Sequence, residues 1–272
     1  MTFAGRTLRN SAITVAVAAG LLAFHEAYRV ALYREAFLSG WLLLATVLVL
    51  SVFRVRKSVT MVPIGSAAGW MQLHIYGGLL SVLIFIVHVE WRVPGGLLEL
   101  LLAFLFVVVA ASGIFGLFLM RSLPRRLARR GEEVIWERIP VFIRELREEA
   151  EETALQSTVE TKSSTISDFY ISRLHSFFGE PRNLLLHLMG SDRALVALLD
   201  EFDNMDRYLH AQEGEFAAKL RELVLKKNDL DFHYSLQLSL KAWLLVHVPL
   251  TFSLLIIAVL HLILAYAFSG GA

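Results

Sequence analysis

Cysteine is absent from all 272 residues. That absence excludes disulfides, covalent haem attachment through CxxCH, and thiolate-bound zinc or iron–sulfur centres. Any metal must therefore rely on His, carboxylate or Met. Acidic residues are scarce outside the middle of the chain: residues 121–240 hold 21 of the 25 acids and 17 of the 26 bases, leaving 4 acids and 9 bases elsewhere. No internal repeat, no Gly-rich phosphate loop and no basic stripe is present, which argues against nucleotide and nucleic-acid partners.

What is present is apolar. The chain is 56% hydrophobic with a mean hydropathy of +0.57, too apolar for an ordinary soluble domain. The expected fold class is all-α, a transmembrane helical bundle with a helical cytoplasmic insertion. A bilayer core of about 30 Å requires roughly 20 apolar residues in a helix. Segments 37–54, 72–91, 97–120 and 242–268 meet that length. A fifth, residues 11–30, follows Arg6 and Arg9 and ends at His25, Glu26 and Arg29. Its Ala16-x-Ala18 falls too early for signal cleavage, so we read a retained helix.

Three regions follow: 1–120 with the first helices, 121–240 as the aqueous insertion, and 241–272 with the final helix. Within the insertion, SDRALVALLDEFDNMDRYL carries apolar residues at helical spacing, with Ser191 or Asp192 as its cap. A further helix is expected around Phe216, Leu220, Leu223 and Lys227, RELREEAEE (144–152) reads as a solvated helix end, and STVETKSSTIS (157–167) reads as a polar loop. Short loops rich in Arg and Lys stay cytoplasmic. Arg54, Arg56 and Lys57, and then Arg121, Arg125, Arg126, Arg129 and Arg130, therefore place the insertion inside. The WRVPGG turn and the C-terminus fall outside, in a cytoplasmic membrane of bacterial type.

Two apolar helices carry matched histidines. His74 and His88 have thirteen residues between them, as do His247 and His261. Fourteen steps at about 100° return to within roughly 40° of the starting direction and rise about 21 Å. Both helices run from inside to outside, so His74 falls level with His247 and His88 with His261. A hydrogen bond to a neighbouring helix would explain any one of them. Matched spacing, depth and direction for all four favour two b-type haems, each between one imidazole of either helix.

In these residues the chain resembles the membrane dihaem cytochromes b, which include the cytochrome b subunit of quinol-oxidising bc-type complexes. There a four-helix bundle holds two bis-histidine haems. The resemblance covers residues 37–120 and 242–268 and implies His74 and His247 on the inner haem iron, His88 and His261 on the outer. The insertion lies outside it, and the later helices of the bc-type subunit are missing. VEWRVP is only a superficial match to a PEWY-like quinol motif.

Gly113 and Gly116 fall level with His74, Gly77 and Gly78 beside it, and Gly40 level with His88. Each is a candidate for close approach of a macrocycle, or for ordinary close packing of membrane helices. Arg92 with Trp91 on the outer side, and Arg56, Lys57 and Lys241 on the inner side, are candidate propionate partners or interfacial anchors. His25 with Glu26 could face a quinone or make a structural hydrogen bond. His175, His187, His210 and His233 show no ligand spacing, and Pro249 is expected to kink the last helix.

The expected function is transmembrane electron transfer, as one subunit of a larger oxidoreductase. A quinone and a second haem or iron–sulfur protein are candidate partners, with membrane lipid around the bundle and no nucleic acid. The alternatives are a membrane anchor or sensor working through its insertion, and a self-contained haem-dependent reductase.

Overall fold

The computed structural model describes residues 3–31, 35–58, 66–128, 130 and 134–268. The side chains of Arg6, Arg29, Arg54, Arg56 and Lys57, and all of Arg129, lie outside the described residues. Every regular element described is helical: α1 Phe3–Ala31, α2 Glu35–Ser58, α3 Ala67–His88, α4 Leu97–Leu127, α5 Ile139–Thr161, α6 Thr165–Phe169, α7 His175–Gly179, α8 Leu184–Met189, α9 Arg193–Asp206 and α10 Ala211–Phe268. A short 3₁₀ turn precedes α5, and a π-helical turn, Tyr170–Leu174, joins α6 to α7. The chain divides into two compact units, Met1–Leu117 with Trp243–Ala272, and Phe118–Ala242.

Among the described residues, five helices are long and apolar enough to cross a membrane, and their outward faces explain why. Leu48, Phe104, Val107, Ile114, Ile256 and Ile263 are exposed. A bundle that displays such residues is suited to lipid rather than water. Inside the first unit, Asn10 Nδ2 donates to Gln72 Oε1 at 2.6 Å and ties α1 to α3. Phe85 on α3 stacks on Phe106 of α4 at 4.2 Å. Trp41 Nε1 donates to Tyr266 Oη at 2.9 Å, tying α2 to α10.

Ser66 caps α3 by accepting from the Gly69 N–H at 3.1 Å, the bond that satisfies a free donor at a helix start. At the other end the chain turns immediately after His88. Glu90 and Trp91 both take left-handed backbone, φ 51° and 60°, and the Trp91 N–H reaches back to the Ile86 carbonyl at 3.4 Å.

The second unit has its own core, built from Ala150, Ala154, Ile166, Leu174, Phe178, Phe202, Leu220 and Leu223 among others. Three local expectations change here. The segment expected as a loop is helix as far as Thr161, because Ser157 is fully buried and the Thr158 and Thr161 hydroxyls bond back to the Ala154 and Ser157 carbonyls. Left-handed Lys162 then ends α5. The acidic run 144–152 is the solvated face of the middle of α5, not its end. The helix around Phe216–Lys227 and the one expected at 242–268 are a single element, α10, which runs through Pro249.

Asp192 does take the N-cap position of α9, yet makes no capping bond. Arg130 occupies its carboxylate instead, at 2.5 and 2.6 Å. Lys227, at an inward position of α10, is wholly buried. Its ammonium donates to Asp231 Oδ2 at 2.6 Å and to the Glu180 carbonyl at 2.7 Å, and it lies 4.6 Å from the Phe177 ring centroid.

Candidate cofactor site in the helical bundle

The four histidines project from α3 and α10, and the structure brings them together across the helices. His88 and His261 line one cavity of about 410 Å³ with Gly40, Trp41, Phe85 and Phe106, and are within electrostatic reach of each other. His74 and His247 are likewise within reach of each other. Each pair thus takes one ring from α3 and one from α10. Among the described residues, no group of three or more His, Asp or Glu side chains is placed to hold a bare metal ion.

The ring nitrogens show how each imidazole is held. His74 Nδ1 lies 3.1 Å from the Leu50 carbonyl of α2, and since a carbonyl only accepts, Nδ1 carries the proton. His88 Nδ1 lies 3.1 Å from Ser39 Oγ, whose own O–H is directed at the Ala36 carbonyl, also at 3.1 Å. The Ser39 oxygen can then accept from a protonated His88 Nδ1, the direction being set by the tautomer of the ring. His247 Nδ1 meets Ser112 Oγ of α4 at 2.5 Å. For His74 this leaves Nε2 available as a ligand atom, and in His88 and His247 the hydrogen bond likewise falls on Nδ1, the arrangement by which an outer hydrogen bond orients a metal-binding histidine.

Small residues stand where the rings need room. A Cβ on Gly40 would lie 3.1 Å from His88 Cε1, and one on Gly113 would lie 3.8 Å from His247 Cε1. Gly116 faces the ring of Trp243 and Gly77 faces Leu50, while Gly78 opens onto empty space. Gly77 lets α2 come close to α3 at the turn where the Leu50 carbonyl meets His74. Trp243 stacks on His247, centroids 5.2 Å apart, and its Nε1 donates to the Ser112 carbonyl at 2.8 Å.

Arg92 borders the cavity of His88 and His261, with its guanidinium 3.9 Å from the Glu90 carboxylate. Trp91 is 84% exposed. Lys241 is engaged elsewhere, 3.4 Å from Glu137 and 4.5 Å from the Trp136 ring centroid. Of the remaining histidines, His233 Nε2 lies 3.0 Å from the Arg130 carbonyl. His187 is buried, and among the described residues neither of its ring nitrogens has a hydrogen-bond partner; burial, with Arg130 nearby, holds it below the usual histidine value.

Ser39, Ser112 and Trp243 are contributors that spacing of histidines does not reveal. One signal for two of them stands in the sequence: the dipeptide Ser-Gly occurs at 39–40 in α2 and again at 112–113 in α4. Each copy sets its hydroxyl on a histidine Nδ1 and its glycine beside the same ring.

The donor set fits a planar group held by one imidazole from each of two helices, with glycines beside two of the rings. Comparison of the chain with family models, with curated proteins and with solved structures gives no match.

Proposed function

We propose that the first unit binds two b-type haems, one between His74 and His247 and the other between His88 and His261, and carries electrons across a membrane. The observation that supports this most is the cavity shared by His88 of α3 and His261 of α10, with His74 and His247 of the same two helices within electrostatic reach of each other. Bound there, haem supplies a one-electron iron couple. The chain's own residues supply the rest: imidazole nitrogens to ligate, helix geometry to set the two sites about 21 Å apart along the axis, and apolar walls to exclude water. With no cysteine for another centre and no nucleotide motif, the chain acts as one redox subunit. A quinone and a haem or iron–sulfur partner protein are its expected exchange partners.

A pyridine haemochrome assay on the purified chain tests the reading. Two haems per chain, released by acidified organic solvent because no CxxCH attaches them, is the expected result. No haem overturns it in favour of a membrane anchor whose second unit, with its own core, binds partners.

A further inference from the structure

We infer that Ser39 and Ser112 are positioning residues, a repeated Ser-Gly device that fixes His88 and His247 as Nδ1–H tautomers and so commits Nε2 of each to the cofactor. The inference rests on the haem reading for its purpose, but its geometry stands on the chain alone. Ser39 is 3% exposed, so its hydroxyl has no water to turn to. With its proton on the Ala36 carbonyl, only the oxygen lone pairs remain for His88. In the opposite tautomer the Ser39 hydroxyl would have to leave the Ala36 carbonyl to donate to a bare Nδ1, with the imidazole proton on the ligand atom.

Ser112 Oγ meets His247 Nδ1 as Ser39 Oγ meets His88 Nδ1, and the Ser112 carbonyl simultaneously fixes Trp243 against that ring. The two serines lie on helices that carry none of the four histidines, so all four helices of the site take part: α3 and α10 provide ligands, α2 and α4 fix their tautomers. Among the described residues His261 has no such partner. The site of His88 and His261 is thus held from one side only, while His74 and His247 are both held.

Three properties follow. An Nδ1–H bond makes the imidazole a stronger donor, which favours oxidised iron. Losing Ser39 should therefore raise the reduction potential of the His88 haem and weaken its retention about tenfold, the low end of the effect of outer-shell partners. Losing Ser112 should do the same to the other haem. Threonine, which keeps the hydroxyl, should restore each.

The experiment uses the full chain as wild type, Ser39→Ala, Ser39→Thr and Ser112→Ala. Redox titration and haem retention are measured on the loaded protein, and ¹⁵N-histidine NMR on the haem-free protein. We expect Nδ1-protonated His88 and His247 in the wild type, and loss of that preference at His88 only in Ser39→Ala and at His247 only in Ser112→Ala. Potentials should shift in the same selective way, with Ser39→Thr like wild type. Nε2-protonated His88 in the wild type, or a tautomer and potential unmoved by Ser39→Ala, overturns the inference. Ser39→Thr as damaging as Ser39→Ala overturns it too, since the serine would then act by shape. A chain that binds no haem while its tautomers behave as stated overturns the functional reading and leaves the tautomer assignment standing.

Discussion

Lys227 and Asp231 are buried as a pair, 0% and 1% exposed, and burial pulls the lysine below its usual value. Burial also raises the Asp231 carboxyl from 3.8 to about 6, against the pull of Lys227. Between those values the folded chain holds the proton that the unfolded chain releases. The stability Asp231 contributes is therefore present below about pH 4 and lost as pH rises through about 6. Thermal unfolding of the full chain across that window should show the fall, and Asp231→Asn should remove it; an unchanged slope in the variant contradicts the assignment. Lys227→Ala, by contrast, strands a buried carboxylate and should cost about 3–5 kcal/mol. Position 227 reads in the sequence as one more inward position of a helix, with nothing to say that a lysine would be wholly enclosed. The histidine quartet is legible because such residues are rare in apolar helices and their spacing can be counted. Ser39 and Ser112 carry only the faint mark of a repeated Ser-Gly, because hydroxyls in membrane helices ordinarily satisfy themselves on the preceding turn, as Thr46 and Ser51 do here.

At the scale of elements, apolar length gives the existence of the helices of the first unit but misses several of their ends by one to two turns, since lipid demands a continuous hydrogen-bonded run only across the apolar core. The ends themselves depend on local bonds. Residues 157–161 look like loop by composition and are helix because their hydroxyls return to the helix backbone. The join within α10 is hidden for a different reason: a solvated charged helix and an apolar one differ in every compositional respect, yet no breaker separates Gly214 from Pro249. The turn after α3 carries a testable cost. Two consecutive non-glycine residues in left-handed backbone cost about 1–2 kcal/mol each, and the Arg92–Glu90 pair is too exposed to offset it. Glu90→Gly should therefore raise the melting temperature of the full chain. A lowered melting temperature would show that the Glu90 side chain stabilises the turn.

For the whole molecule, transmembrane character is legible from composition, but sidedness rests on Arg and Lys clusters alone. Reporter fusions at Glu152 and after Ala272 should give opposite locations, cytoplasmic and external; matching locations would remove the common direction of the two histidine helices. The division between a lipid-facing unit and an aqueous one follows the charge segregation along the chain, whereas the pairing of ligands depends on how four helices meet, which one-dimensional spacing only implies. That pairing is the central claim, and four single variants, His74→Ala, His88→Ala, His247→Ala and His261→Ala, test it most directly through reduced-minus-oxidised spectra. The account predicts two classes set by depth. His88→Ala and His261→Ala should disturb one haem component, His74→Ala and His247→Ala the other, and a double variant within a class should add little further damage. If His74→Ala and His88→Ala instead shared one spectral defect, and His247→Ala and His261→Ala another, the cross-helix assignment would be contradicted even with haem present.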